Sequence, residues 1–306
     1  MSAPFAKPKD AVTTPLNEGP CVPFIPLSQG YSIEATPKAI LGDRVEWGAV
    51  PEGTRIFIPQ FPKNTPEEML ACAKRLQGMG FKPIPHVTAR RLADKREFER
   101  LLSKLVAEAA VDEILLLAGG DDTPHGQLGN TLELLESGVI ERVGIRRIGV
   151  AGHPEGHPEA TQDALDRALA IKNAFSVETG IPLYIVTQFF FDADPFIAWE
   201  RRIREQGNRL PIHAGLPGLA SGPSLLKHAM ACGVGSSVKV LRRNMTGLRG
   251  LLGLSWRGQD PGRIVKALAV SKERDPASNL AGFHFYALGA FDLTVKWANR
   301  FAQTRG

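Results

Sequence analysis

Glu113-Ile-Leu-Leu-Leu-Ala-Gly-Gly-Asp121 carries an apolar run into two glycines and a carboxylate. A charged group at the end of a buried-strand pattern is costly unless it is solvated, paired or used. Seven other short apolar runs end in polar or small residues: Tyr31-Ser-Ile-Glu-Ala35, Arg55-Ile-Phe-Ile-Pro-Gln60, Lys82-Pro-Ile-Pro-His-Val-Thr88, Ile148-Gly-Val-Ala-Gly-His-Pro154, Leu183-Tyr-Ile-Val-Thr-Gln-Phe189, Pro211-Ile-His-Ala-Gly-Leu-Pro217 and Gly282-Phe-His-Phe-Tyr-Ala-Leu288. Glu34, Gln60, His86, Asp121, His153 and Gln188 lie at or near their trailing ends.

Between these runs the apolar spacing is helical. Thr65 is an N-cap for a helix over 66–80 with Met69, Leu70, Ala73 and Leu76 on one face. Residues 97–110 repeat the pattern, and further helices are expected over 128–137, 161–174, 194–206 and 224–231. Strands alternating with helices mean βαβ units and a parallel sheet, because parallel neighbours need a crossover long enough to hold a helix. Eight such units point to a closed (β/α)8 barrel at residues 30–306, preceded by a Pro-rich arm at 1–29. A doubly wound open sheet would put a Gly-rich turn after the first strand, whereas Glu34 is followed by Ala-Thr-Pro-Lys and no GxGxxG occurs. Glycines between Cys232 and Pro276 predict a broken, less regular seventh helix there.

The 37 basic and 32 acidic residues give a formal charge of +5 that is spread thinly, which argues against nucleic-acid binding. Cys21, Cys72 and Cys232 form no CxxC pair, so neither a disulfide framework nor a structural zinc site is expected. No run approaches the roughly 20 apolar residues that cross a bilayer, and the expected setting is cytoplasmic, without a membrane partner. A homo-oligomer is compatible with the sequence.

Barrel strand ends open onto one face, so polar residues far apart in sequence converge there. Glu34, inside an apolar run, is a candidate general acid because burial disfavours its charged form. Asp121 is presented on a glycine-rich turn, and Asp122 beside it reads as a solvated loop residue. Gly152-His-Pro-Glu-Gly-His-Pro-Glu-Ala160 reads as a rigid loop laying two imidazoles against a planar or phosphorylated ligand, with Asp166 and Lys172 in reach, rather than as a metal site. Gln188 can both donate to and accept from a heterocycle. His213 and His284 read as structural, and no GxSxG elbow supports a hydrolase.

Six motifs in order resemble the methylenetetrahydrofolate reductase family: Ser32-Ile-Glu34, Pro85-His-Val-Thr88, Leu117-Ala-Gly-Gly-Asp121, the 149–160 loop, Val186-Thr-Gln-Phe-Phe-Phe-Asp192 and Phe283-His-Phe-Tyr286. The resemblance implies an FAD-dependent reductase of one-carbon metabolism and methionine biosynthesis. It would take hydride from NADH or NADPH and convert 5,10-methylenetetrahydrofolate to 5-methyltetrahydrofolate. Glu34 would protonate N10, Asp121 would stabilise the resulting cation, and Gln188, Gln60 and Asp121 would contact the folate. His86, Thr88, Gly120, Asp121, His153, His157, Asp166 and Lys172 would contact FAD. The chain departs from the family pattern at Gly119, where an arginine is common, at His153, at Pro59-Gln60 and around Ala290. A weakly held flavin is therefore expected. The same groups would also serve methyltetrahydrofolate oxidation, and a flavin-free folate-binding methyltransferase barrel is the alternative outside redox chemistry.

Overall fold

The structure is a computed structural model and describes residues 27, 30–121, 123–220 and 260–303. Eight parallel strands close into a barrel in chain order: β1 (Ser32–Glu34), β2 (Arg55–Ile58), β3 (Lys82–Thr88), β4 (Glu113–Leu117), β5 (Arg147–Gly152), β6 (Leu183–Phe189), β7 (Ile212–Pro217) and β8 (Leu280–Tyr286). The described helices are α1 (Pro37–Leu41), α2 (Pro66–Gly78), α3 (Lys95–Ala109), α4 (Thr131–Leu135), α5 (Val139–Val143), α6 (Gln162–Thr179), α7 (Ala193–Glu205), α8 (Pro261–Arg274) and α9 (Phe291–Gln303).

Side chains alternate along each strand between the helices outside and the barrel lumen inside. Ile56, Ile58, Ile114, Leu116, Leu183 and Ile185 join the large outer core, while Phe57, Ile84, Leu115, Tyr184 and Val186 form a separate inner cluster. That period of two fixes which polar residues point inward. Ser32 and Glu34 flank the outward Ile33, and His284 and Tyr286 flank the outward Phe285.

Local chemistry sets the helix ends. Thr65 accepts from Glu68 N–H and Pro66 opens α2, which buries Met69, Cys72, Ala73 and Leu76. Asp94 accepts from Glu97 N–H while Glu97 reaches back to Ala93 N–H, a reciprocal cap for α3. The single helix expected over 128–137 ends at Leu135, and Gly138, at φ 68°, redirects the chain into α5. A positive φ is open to glycine at little cost, so the chain turns here instead of continuing the helix. Residues 261–274 form a regular helix, capped by Asp260 and opened by Pro261, while the glycines that predict an irregular stretch, Gly233 to Gly258, lie outside the described residues. The helix expected over 224–231 lies outside the described residues, as does the 1–29 arm apart from Leu27 and Asp122 in the fourth loop.

The N-terminal end of the barrel is closed by charge. Glu113 on β4 sits between Arg55 on β2 and Arg147 on β5, and the Tyr184 ring lies 4.8 Å from one guanidinium and 4.5 Å from the other. Gly149 belongs to this packing, because a Cβ there would come within 2.7 Å of the Tyr184 hydroxyl. Removing one partner of a buried ion pair leaves an uncompensated charge, which costs more than the pair contributes. Glu113→Ala is therefore expected to lose about 3 kcal/mol, read as a lower denaturant midpoint with an unchanged slope. A loss below about 0.5 kcal/mol would show the cluster to be solvated in solution.

Candidate active site

Glu34 ends β1 on the lumen side, and its side chain is 17% exposed. Burial pushes its carboxyl from an ordinary 4.5 up to about 8. The nearest basic group is His86 on β3, whose Nε2 lies 3.6 Å from Glu34 Oε1. At that distance the contact is not a hydrogen bond. It is not an ion pair at neutral pH either, since burial pulls the His86 imidazole down to about 3. Two neutral groups face each other, and Glu34 keeps its proton because burial disfavours the carboxylate and no cation among the described residues offsets that cost.

Beneath them lies His284, fully buried, with Nδ1 2.9 Å from Ser32 Oγ and Nε2 without a hydrogen-bond partner among the described residues. Ser32 Oγ is also 3.3 Å from the Phe283 carbonyl. If the single hydroxyl proton goes to that carbonyl, His284 Nδ1 carries the proton they share. Burial holds the imidazoles of both His284 and His213 well below the usual histidine range.

A second carboxylate stands across the mouth in the loop after β4. Asp121 Oδ2 accepts from Arg91 Nε at 2.7 Å, and its backbone carbonyl accepts from Arg90 Nη1 at 3.0 Å. Arg91 also donates to the Gln60 carbonyl, while Gln60 Oε1 accepts from Thr88 N–H at 3.0 Å. Gln60, Thr88 and Asp121 are thus tied together through the turn after β3. Gly120 has open space where a Cβ would stand.

The 153–160 loop forms the third wall. His153 and His157 meet edge to face at 4.9 Å, and Gly156, at φ 85°, makes the turn between them. His157 Nδ1 accepts from Glu159 N–H, which leaves Nε2 as the donor of the neutral ring. Burial first, then the charges of His157 and Lys172, pull the His153 imidazole down to about 3. Its Nδ1 is buried with no hydrogen-bond partner among the described residues. Lys172 on α6 is half-buried and forms no salt bridge among the described residues, and burial pulls its ammonium down to about 8. An orphaned imidazole nitrogen beside an uncompensated ammonium is a site built for an anionic, hydrogen-bonding ligand.

Asp166 stands apart from this set. Arg202 of α7 donates to both its oxygens at 3.0 and 2.8 Å, and Gln162 and Gln206 complete the ring. Its carboxylate joins α6 to α7. Arg90 and Arg91 were missed because a basic doublet after a strand has the same local pattern as a solvated turn. A cavity of about 650 Å³ lies at the barrel base against Ser32, Arg55 and His213, away from the strand ends that gather Glu34, Asp121 and Gln188.

The sequence profile of the family described as methylenetetrahydrofolate reductase matches residues 64–244, more than half of the chain. Methylenetetrahydrofolate reductase 1 of Schizosaccharomyces pombe is 39% identical over 145 residues, 46% of this chain and 22% of that protein. Methylenetetrahydrofolate reductase (NADH) 1 of Arabidopsis thaliana is 25% identical over 241 residues, 72% of this chain and 35% of that protein. These matches span from about a fifth to about a third of the relatives' length. Among solved structures, dihydropteroate synthase from Thermus thermophilus superposes with a TM-score of 0.44 at 12% identity, covering 94% of each chain. A likeness at that level carries no functional argument.

The burial of Glu34 has a consequence for stability. In the unfolded chain this carboxyl ionises near 4.5, whereas in the fold it holds its proton to about 8. Between those values the unfolded state gains from ionising and the folded state does not, so the stability that Glu34 contributes is full below pH 4.5 and declines up to about pH 8. Glu34→Gln removes the titration. Relative to the parent it is expected to gain stability steadily across that interval and to gain none at pH 4, followed by denaturant midpoints at each pH.

Proposed function

The chain belongs to the methylenetetrahydrofolate reductase family, and from that premise we propose that it reduces 5,10-methylenetetrahydrofolate to 5-methyltetrahydrofolate with a reduced nicotinamide as donor. FAD, when bound, would supply the hydride relay between donor and folate. The observation that carries the reading is Glu34, a carboxyl that burial keeps in its acid form at neutral pH at the barrel mouth.

The folate step needs a proton before it needs a hydride. Protonation at N10 breaks the C–N bond of the five-membered ring, with its electron pair leaving on nitrogen, and makes an iminium that can accept hydride. Glu34 is the donor, since an acid poised near 8 is still loaded at neutrality and close enough to ambient pH to release its proton. Asp121 supplies negative potential for the cation from a fixed position, which is effective because the carboxylate does not have to reorient during the step. Gln188 and Gln60 present amides to the pterin edge.

His153, His157 and Lys172 would hold the cofactor, with Thr88, His86 and Gly120 on the opposite wall. Among the described residues Lys172 has no carboxylate and His153 Nδ1 no partner; such an ammonium suits the charge of a pyrophosphate, and such a nitrogen a polar ring edge. Asp166 contributes through α7 rather than by touching the cofactor, because Arg202, Gln162 and Gln206 occupy it.

An absorbance spectrum of the purified protein, followed by anaerobic reduction with NADH and with NADPH, tests the cofactor and the donor together. A flavin band that bleaches with either nucleotide is the expected result. Absence of flavin binding on titration would favour a folate-binding methyltransferase barrel instead. In separated half-reactions, Glu34→Gln should keep flavin reduction and lose folate reduction, and the parent's folate step should fade above about pH 8. Asp121→Asn should slow the folate step by about tenfold or more. Parent-like folate rates in both variants would remove the two carboxylates from their roles.

A further inference from the structure

Asp121 sits on a glycine-rich turn that by itself gives its side chain little direction. The residue two positions earlier cannot help, because Gly119 adopts φ 105° and a Cβ there would collide with Thr88 Cγ2. Any side chain at 119 is excluded by both the backbone and the neighbouring strand. A cation for Asp121 must come from another loop, and Arg91 occupies that position.

The geometry is specific. Arg91 Nε binds Asp121 Oδ2 at 2.7 Å while its Nη1 binds the Gln60 carbonyl, so one planar guanidinium is fixed at two points in two loops. Its side chain is 14% exposed and that of Asp121 21%, which limits screening of the pair by water. Arg90, the adjacent residue, holds the Asp121 backbone carbonyl and the Gly129 carbonyl and pairs with Glu159. The backbone secures the same turn, with Arg90 N–H on the Ala118 carbonyl and His125 N–H on the Arg90 carbonyl. One arginine thus fixes the main chain at 121 and the other fixes its carboxylate. Among the described hydrogen bonds Oδ1 carries none, so the pairing leaves one carboxylate oxygen for a ligand.

We propose that Arg91 is a positioning residue for Asp121, holding Oδ2 so that Oδ1 faces the folate. The inference rests on the folate role proposed for Asp121 and adds to it the residue that aims it. Arg91 also lowers the net negative potential at Asp121, so two effects of its removal oppose each other. A bare carboxylate would attract a cation more strongly, but a carboxylate free to rotate would spend that attraction on reorientation. Orientation dominates, because misplacement of a catalytic group by about 1 Å costs on the order of a hundredfold.

The test compares Arg91→Ala, Arg91→Lys and Asp121→Asn in separated half-reactions. Arg91→Ala is expected to slow the folate step by at least about tenfold with a small change in folate affinity, while flavin reduction stays within about threefold of the parent. Arg91→Lys keeps the charge but not the fork, and it should be nearly as slow as the alanine variant. Added guanidinium should restore the folate step in Arg91→Ala and do nothing for Asp121→Asn. The cavity of about 130 Å³ lined by Arg91, Gln60 and His125 gives that ion room to bind.

A parent-like folate step in Arg91→Ala, beside a slow Asp121→Asn, would overturn this inference alone. Equal losses in both half-reactions without rescue would overturn it too, showing a structural role. Parent-like rates in Asp121→Asn would overturn the role of Asp121 and this inference with it. A parent-like Arg91→Lys would assign the effect to charge and reject positioning.

Discussion

Exclusion of water from the barrel lumen sets the charge of the ionisable groups inside it. Eight strands alternate outward aliphatics with inward residues, and the inward set near the mouth includes Glu34, His86 and His284. Desolvation acts on acids and bases in opposite directions but toward the same end, the neutral form. Glu34 is pushed up and the imidazoles of His86, His213 and His284 are pushed down. The histidines therefore cannot serve as cations that would draw the proton off Glu34. A loaded acid and neutral imidazoles beside it follow from the one constraint.

The two ends of the barrel handle polar groups differently. At the base, Glu113 is matched by Arg55 and Arg147, and Tyr184 packs between the two guanidinium groups, so the charges satisfy one another. At the mouth, His153 Nδ1 and Lys172 are left without such matches among the described residues. Leaving buried polar groups unmatched costs stability, and a fold keeps such groups where a ligand completes them. The larger cavity lies at the base and the unmatched groups lie at the mouth, so cavity volume is the weaker guide to the site here.

Much of this was legible in the sequence because the relevant signals are local. A strand that alternates in and out advertises its period, and β3 and β6 begin and end where the runs Lys82–Thr88 and Leu183–Phe189 indicated. The cap at Thr65 likewise acts within one turn of chain, whereas the helix that Asp260 caps was not read from the sequence. Glu34 was legible as an acid for the same reason, since burial of its strand could be read from its neighbours. The rest depends on contacts between residues 30 or more apart. Nothing near Asp166 announces Arg202, and nothing near Asp121 announces Arg91. The short helix α5 was hidden for another reason: it is entered through Gly138 at a positive φ, which a glycine permits but does not require.

The two mouth carboxyl groups show how environment separates the roles of similar side chains. Glu34 is fixed by its strand, faces a neutral imidazole at 3.6 Å and has no cation beside it among the described residues. Asp121 is fixed by a turn and has a guanidinium at 2.7 Å. On the proposed reading the first delivers a proton and the second meets positive charge, and neither could be exchanged for the other without moving Arg91. The constraint traces to Gly119: with no room for a side chain against Thr88, the cation is carried by the β3 turn instead of the β4 turn. Asp121 is consequently tied to Gln60 through the same arginine, so the second, third and fourth strand ends hold the carboxylate as one unit.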